Sequence, residues 1–258
     1  MRILLPALAF ASLTLFSGHA LADECRHSQP HNLQLDLTGV KAVMFEIGPH
    51  ELIVNAARGA KASLQGKACA SKPERLKELS LTQKRVGDKL VVTADREDTI
   101  NFSFGSANYA YLVLNATLPD NILVQLDVGS GDARVTGAAA LSADVGSGDV
   151  EARNIRGQVT ADLNSGDIAL DTIGSLHVLS VGSGDLKARR IAGGAVIGSI
   201  GSGDVELRGV GGDVSADKIG SGDLDVHDVR GGLSVRRVGS GSVDHSGVSG
   251  RIDVPRED

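Results

Sequence analysis

One four-residue phrase, Gly-Ser-Gly-Asp, returns along this sequence at a nearly constant interval. Complete copies stand at Gly129–Asp132, Gly146–Asp149, Gly182–Asp185, Gly201–Asp204 and Gly220–Asp223, and altered copies at Asn164–Asp167 and Gly239–Ser242. The first residues of these seven copies are 17, 18, 18, 19, 19 and 19 positions apart. A fixed period of this length is typical of a stack of similar small units that contact mainly their neighbours.

Apolar and polar residues alternate between the copies, as in Val150–Arg153 and again in Val159–Leu163. Alternation indicates half-buried strands, because successive side chains of a strand point to opposite sides. The residues expected to point inward in this coil are Val150, Ala152, Ile155, Val159, Ala161 and Leu163. Two strands and two corners make one coil, and stacked coils place equivalent strands side by side in parallel. The sequence therefore predicts an all-β fold, a parallel β-solenoid (β-helix) of about six coils with a β-rich N-terminal cap.

The corner residues have a structural interpretation. Glycine permits positive φ and a sharp bend, and Asp can accept a hydrogen bond from a backbone N–H two residues on, which would close the corner locally. One extra residue before Ile219, and again before Val238, predicts a β-bulge in the later coils.

Calcium binding is a second interpretation of the same corners. Stacking would bring six carboxylates into one column, namely Asp132, Asp149, Asp167, Asp185, Asp204 and Asp223. Neighbouring carboxylates ~5 Å apart repel each other by roughly 0.8 kcal/mol in water, and a divalent cation would relieve that repulsion. However, calcium takes about six to eight oxygen ligands, and the opposite corner, for example Arg156-Gly157, supplies few carboxylates. No other cofactor is indicated.

The repeat, entered through Leu118-Pro119-Asp120 and Leu126-Asp127-Val128, resembles the bacterial putative-adhesin family of Gly-Ser-Gly-Asp β-solenoids, domains like the heads of auto-transporter adhesins. The resemblance covers roughly residues 100–254. It implies a structural or interaction protein of the cell envelope, and it offers no catalytic residues.

The first 22 residues have the features of a secretory signal peptide, since Arg2 precedes an apolar stretch and Ala20-Leu21-Ala22 fits the small-x-small cleavage rule. In an exported chain, two cysteines predict a disulfide between Cys25 and Cys69, with two free thiols as the alternative. We expect residues 23–120 to form the cap, either as a small β-sandwich or as irregular early coils, merging into the stack. Residues 121–254 would form the solenoid and residues 255–258 a polar tail. No later stretch is long and apolar enough for a transmembrane helix, so a periplasmic, cell-surface or secreted location is expected.

Charge and residue types argue against several function classes. The chain has 26 Lys and Arg against 32 Asp and Glu, a formal net charge of −6, which argues against a nucleic-acid partner. It has no His-x-x-x-His or Cys-x-x-Cys pair that would suggest a transition-metal site, and no Gly-x-Ser-x-Gly elbow precedes a helix. The repeats also contain no aromatic residue, which counts against a polysaccharide-active β-helix enzyme.

These observations favour a non-enzymatic, exported, adhesin-like protein of the bacterial cell envelope. Its partner would be an envelope protein, a glycan or another copy of the chain, bound through the solenoid faces. One face combines Arg153, Lys187, Arg189 and Arg208 with Glu151, Asp171, Glu206 and Asp225. This face is the expected contact surface, although mixed charge is also typical of a face that is merely solvated. The alternative function is a calcium-stabilised module of the β-roll kind, which folds after export.

Overall fold

Twenty β-strands follow one another along residues 25–97 and 108–255, the part of the chain that this computed structural model describes. The predicted signal peptide lies outside the described residues. The first strands are β1 His27–Pro30, β2 Ala42–Glu46, β3 Glu51–Ala57, β4 Ser63–Ala70, β5 Leu79–Val86, β6 Lys89–Arg96, β7 Ala110–Pro119, β8 Leu123–Val128, β9 Asp132–Thr136 and β10 Ala140–Val145. The others are β11 Asp149–Leu163, β12 Asp167–Val181, β13 Leu186–Ile191, β14 Ala195–Ile200, β15 Val205–Val210, β16 Val214–Ile219, β17 Leu224–Val229, β18 Leu233–Val235, β19 Val243–Val248 and β20 Ile252–Asp253. A short 3₁₀ helix, Pro73–Glu78, lies between β4 and β5.

The strands stack in two walls, whose outer surfaces we call face 1 and face 2. In stacking order, face 1 consists of β5, β6, β2, β8, β10, the second halves of β11 and β12, β14, β16, β18 and β20. Face 2 consists of β1, β4, β7, β3, β9, the first halves of β11 and β12, β13, β15, β17 and β19. The predicted parallel β-solenoid is confirmed, and it has about seven turns.

The inward residues of the repeats form one continuous apolar core between the two walls. Val150, Ala152, Ile155, Val159, Ala161 and Leu163 are each at most 1% exposed. The expected bulge is also present: Ala216 and Ile219 are buried while the two residues between them point outward. The bulge begins earlier than predicted, because the register of β12 against β11 already shifts between Ala161 and Asp162.

Close stacking, and not backbone flexibility, explains the glycines at the Gly-Ser-Gly-Asp corners. Within the described repeats none of these glycines has a positive φ. A Cβ placed on Gly166 would lie 1.8 Å from the carbonyl oxygen of Gly148, and the third-position glycines of the other later copies are as confined. The expectation of positive φ at this corner was wrong. Positive φ occurs instead at the far end of face 2, at Gly137, Asn154, Thr172, Arg190, Gly209, Asp228 and Gly247.

The N-terminal strands do not stack in chain order. Strand β2 pairs in parallel with both β6 and β8, and β3 pairs in parallel with both β7 and β9. The coil made by β2 and β3 therefore lies between the β6–β7 coil and the first coil of the repeats. The antiparallel strands β1, β4 and β5 cover the end of the stack. The predicted disulfide between Cys25 and Cys69 is confirmed, and it ties the chain before β1 to β4. The boundary at residue 120 stays a prediction.

A histidine occupies a corner that the repeat did not reveal. Gly48-Pro49-His50-Glu51 stacks under Gly129–Asp132, so that His50 takes the place of Gly131. Its side chain is buried, and its Nδ1 accepts a hydrogen bond from the backbone N–H of Leu112 at 3.2 Å. Its Nε2 has no hydrogen-bond partner within the described residues. Burial, together with the charge of Arg96, lowers the pKa of His50 to about 4, against the weaker opposing influence of Asp95.

We expect Gly166→Ala to destabilise the protein by about 3 kcal/mol or more, because its Cβ would lie 1.8 Å from the carbonyl oxygen of Gly148 in the preceding coil. Urea unfolding of the purified variant measures the loss. Gly209→Asn is the matched control, since its φ of +71° suits Asn, its site is open and Asn154 holds the equivalent position. Equal stability of Gly166→Ala and wild type would contradict the close stacking.

We expect stability to fall between about pH 6.5 and pH 4 through His50. The folded-state pKa is about 4, below the unfolded value, so the unfolded chain binds the proton first and stability is lost as the pH falls through this range. The loss is roughly 3 kcal/mol by pH 4. His50→Asn keeps an acceptor for the Leu112 N–H but does not titrate. If the free energy of unfolding in urea depends on pH in the same way for wild type and for His50→Asn, the loss of stability does not come from His50.

Candidate functional site

The Asp column predicted at the corners is present, and its carboxylates bond from coil to coil. The backbone N–H of Asp149 donates to Oδ1 of Asp132 at 3.3 Å, and the N–H of Asp167 donates to Oδ1 of Asp149 at 3.2 Å. The same bond recurs at Asp185, Asp204, Asp223 and Ser242, with distances of 2.8 to 3.3 Å. The acceptor role of Asp is as predicted, but the donor lies in the next coil and not two residues along. Stacking places the backbone N–H at each corner next to the Asp carboxylate of the preceding coil, within hydrogen-bond distance.

This bonding leaves each carboxylate of the column with one oxygen engaged to the backbone. Among the described residues, no three His, Cys, Asp or Glu side chains form a group that could hold a metal ion. Calcium binding at Asp132, Asp149, Asp167, Asp185, Asp204 and Asp223 stays a prediction, and the melting experiment below tests it.

The charged residues singled out on face 2 line one shallow cleft of about 280 Å³. The lining consists of Glu151, Arg153, Ala169, Leu170, Asp171, Lys187, Ala188, Arg189, Glu206 and Arg208. Seven of the eight residues expected at the contact surface are therefore brought together, and Asp225 continues the same row in the next coil. The cleft exists because Ala169 lies in register between Glu151 and Lys187 and has almost no side chain to fill the row.

Ion pairs order most of the cleft. Arg189 Nε donates to Asp171 Oδ2 at 3.0 Å, Arg208 Nη2 donates to Glu206 Oε1 at 2.9 Å, and Arg153 pairs with Glu151. The side chains of these three arginines stay 56 to 60% exposed, so each can still contact a partner from solution. Exposed pairs of this kind contribute little to stability, which leaves the face free to serve binding.

Asp171 accepts hydrogen bonds from three side chains at the cleft, those of Thr172, Arg189 and Arg190. Burial favours its neutral form, but hydrogen bonds from Thr172 and Arg189 and the charges of Arg190 and Arg189 outweigh burial and hold the pKa of Asp171 below its usual value. Thr172 Oγ1 donates at 2.9 Å from a positive-φ position, and Arg190, also at positive φ, bonds both Asp171 and Thr172. Sequence analysis missed Arg190 and Thr172. The two consecutive polar residues in each repeat were the only available signal.

Lys187 is the cation of the cleft that remains available. It forms no ion pair with any residue in the described ranges, although it lies in register between Ala169 and Glu206. The lining contains four cations and three anions, so one positive charge is left over. An acidic or hydroxyl-rich group of a partner suits such a surface, because guanidinium and ammonium groups donate to carboxylate, phosphate and hydroxyl oxygens.

The fold is similar to that of several solved structures, although no protein-family model and no curated protein matches the chain. A putative adhesin from Bacteroides fragilis aligns over 88% of this chain and 97% of its own, with 15% identity and a TM-score of 0.51. A putative lipid binding protein from Parabacteroides distasonis aligns over 87% and 96%, with 14% identity and a TM-score of 0.46. A putative cell adhesion protein from Clostridium sporogenes aligns over 85% and 99%, with 12% identity and a TM-score of 0.36. At such identities the likeness concerns the fold.

Membrane-spanning helices are not part of the described structure: none of its helical segments combines the length and hydrophobicity that crossing a bilayer requires.

We expect Asp167→Ala to lower stability by about 1 kcal/mol, because the N–H of Asp185 loses its acceptor. Asp167→Asn is the control, since it keeps an acceptor oxygen and removes one charge from the column. Its stability should equal or exceed that of wild type. A destabilised Asn variant beside a stable Ala variant would contradict the role of the ladder in coil stacking.

We expect the melting temperature to be the same in excess EDTA and in millimolar calcium, because backbone amides already occupy one oxygen of each column carboxylate. Circular dichroism melts of the purified protein test this expectation. If calcium instead raises the melting temperature of wild type by a large amount but does not raise that of Asp167→Asn, the column is a set of metal sites.

Proposed function

We propose that this protein is a non-enzymatic, exported interaction protein of the bacterial cell envelope, related to the putative-adhesin solenoids. Its contact surface is the cleft on face 2, and its partner is an envelope protein or a glycan that presents acidic or hydroxyl groups. The observation that carries the proposal is the cleft itself, where Arg153, Lys187, Arg189 and Arg208 surround the small Ala169.

The chemistry of the cleft supports binding. Its charged groups lie in rows one strand spacing apart, about 4.8 Å, on a rigid two-walled scaffold. A regular row of exposed donors suits an extended polymer or a flat protein surface, because the partner can repeat its contacts from coil to coil. Rigid donors also lose little conformational entropy on binding.

The fold adds support at a coarser level. The solved structure with a TM-score of 0.51 is described as a putative adhesin. Export is supported by the leader-like residues 1–22, by the small-x-small motif and by the disulfide between Cys25 and Cys69. The proposed location is the periplasm or the cell surface.

Lys187→Glu tests the proposal with the least structural disturbance, because Lys187 makes no ion pair with a described residue. The probes are purified acidic and neutral envelope polysaccharides and envelope protein fractions, bound to a surface. We expect wild type to bind at least one acidic probe, with affinity that falls as salt rises, and Lys187→Glu to lose at least about tenfold in affinity.

Arg251→Glu is the matched control. Arg251 is 87% exposed and lies outside the cleft, and the substitution changes the charge by the same amount. Equal binding by wild type and Lys187→Glu would move the contact surface away from face 2. Release of new reducing ends from the polysaccharides by wild type would instead favour an enzyme of the β-helix type.

A further inference from the structure

Face 1 carries a row of charges that changes sign along the stack. Equivalent outward positions of successive strands are occupied in register by Glu46, Asp127, Asp144, Asp162, Ser180, Ser199 and Lys218, and Arg237 follows beside Lys218. Four carboxylates therefore fill the half nearer the N-terminal cap, and the cations Lys218 and Arg237 fill the other end, where Arg237 also pairs with the neighbouring Asp217 at 3.5 Å. The two serines mark the middle.

The acidic half has no ion pair among the described residues, although Glu46 accepts a hydrogen bond from Thr93 and Asp162 accepts one from Ser180. Asp127 and Asp144 are exposed and form no ion pair with the described residues. Partial burial, and next the charges of Asp144 and Glu46, raise the pKa of Asp127. On face 2, by contrast, Asp171 lies in register between Arg153 and Arg189. A cationic partner would therefore stabilise face 1 far more than face 2.

Two exposed apolar side chains mark the middle of the same face. Leu179 is 47% exposed and Val196 is 50% exposed, and they lie diagonally on the neighbouring strands β12 and β14. Leu179 points outward because the bulge of β12 gives it a place beside Ser180. Gly198, next to Leu179 across the strand pair, has no side chain to cover it. The other exposed large apolar side chains of the described residues, Val86 and Ile252, lie far apart on other strands.

We propose that two copies of this chain associate face 1 to face 1, about a two-fold axis that runs parallel to the strands between β12 and β14. Rotation about this axis reverses the stack while each outward row stays opposite itself. Asp162 then meets Lys218 of the second copy, and Asp144 meets Arg237. Leu179 faces Gly198 of the second copy and Val196 faces His177, so the two Leu179 side chains lie beside each other on neighbouring strands, as do the two Val196 side chains. Each contact occurs twice, as an isologous interface requires.

The size and composition of this surface suit a stable dimer. Face 1 from β8 to β20 has eight strands, four on each side of the axis, which span ~38 Å at a strand spacing of about 4.8 Å, and its longest strands, of six residues, are ~20 Å long. The resulting area of at most about 800 Å² per copy reaches that of a standard protein–protein interface. An apolar centre with a charged rim is also the usual arrangement of such interfaces. The pairing would leave both face 2 clefts pointing outward, so the dimer would be bivalent for the partner proposed above.

Sedimentation velocity of the purified protein over a range of concentrations tests the proposal. We expect a monomer–dimer equilibrium for wild type. Leu179→Asp and Val196→Asp should each weaken the dimer by at least about tenfold. Their folds should be intact by circular dichroism, because both side chains are half exposed. Val86→Asp is the matched control: Val86 is 54% exposed at the end of β5, outside the interface, and its variant should dimerise like wild type.

Charge reversal provides a second, independent measurement. Asp162→Lys alone and Lys218→Asp alone should each weaken the dimer, since each opposes like charges across the axis. The double variant should recover wild-type dimerisation, because every reversed residue then faces a reversed partner. Recovery of this kind distinguishes a direct contact from a general effect of charge.

A protein that stays monomeric throughout the concentration range would overturn the proposal. So would a dimer that resists Leu179→Asp and Val196→Asp, or one that Lys187→Glu dissociates, since that result would place self-association on face 2. None of these results bears on partner binding by the cleft, which the polysaccharide and envelope probes measure separately.

Discussion

The contact between successive corners is the constraint on which the rest of this structure depends. A Cβ at Gly148 or Gly166 would lie within 1.8 Å of a carbonyl oxygen in the coil below, so the coils can reach strand spacing only if these positions stay glycine. With the corners in contact, the strands on both walls pair in register along the repeat, apart from the shifts between β11 and β12. The single apolar core, the flat faces and the straight rows of side chains all follow from this spacing.

Stacking in register has an electrostatic consequence, because every side chain has its own equivalents as nearest neighbours. The chain handles this in three ways. The corner carboxylates bond to the amide of the next coil, while face 2 intersperses acids and bases, as at Arg153, Asp171 and Arg189. Face 1 instead separates its charges into an acidic half and a basic end. The first two arrangements pair their charges within one chain, whereas the third leaves Asp127, Asp144 and Lys218 without an ion pair among the described residues, and only Arg237 is paired, with Asp217.

The residues of the candidate site could be read from the repeat, but their roles could not. Alternation placed Arg153, Lys187, Arg189 and Arg208 on one face, because strand periodicity fixes which side a residue occupies. The cleft depends on the small side chain of Ala169. It also depends on the positive φ of Thr172 and Arg190, because Asp171 accepts hydrogen bonds from both Arg189 and Arg190. Such features arise from three strands together, and no single repeat encodes them. Leu179 likewise became exposed only through a register shift between two coils.

The sequence by itself determined the all-β solenoid, the inward positions, the Asp column and the pairing of Cys25 with Cys69. The first three properties are periodic and recur in every repeat, whereas the disulfide follows because the sequence holds only two cysteines. Only the tertiary structure decided the order of the first coils, in which β2 and β3 separate β6 and β7 from the repeats. It also decided that His50 fills a corner where glycine stands elsewhere, and that the Asp bonds run between coils. Both depend on which strands become neighbours across long stretches of chain, and backbone pairing leaves no periodic mark in a segment that occurs once.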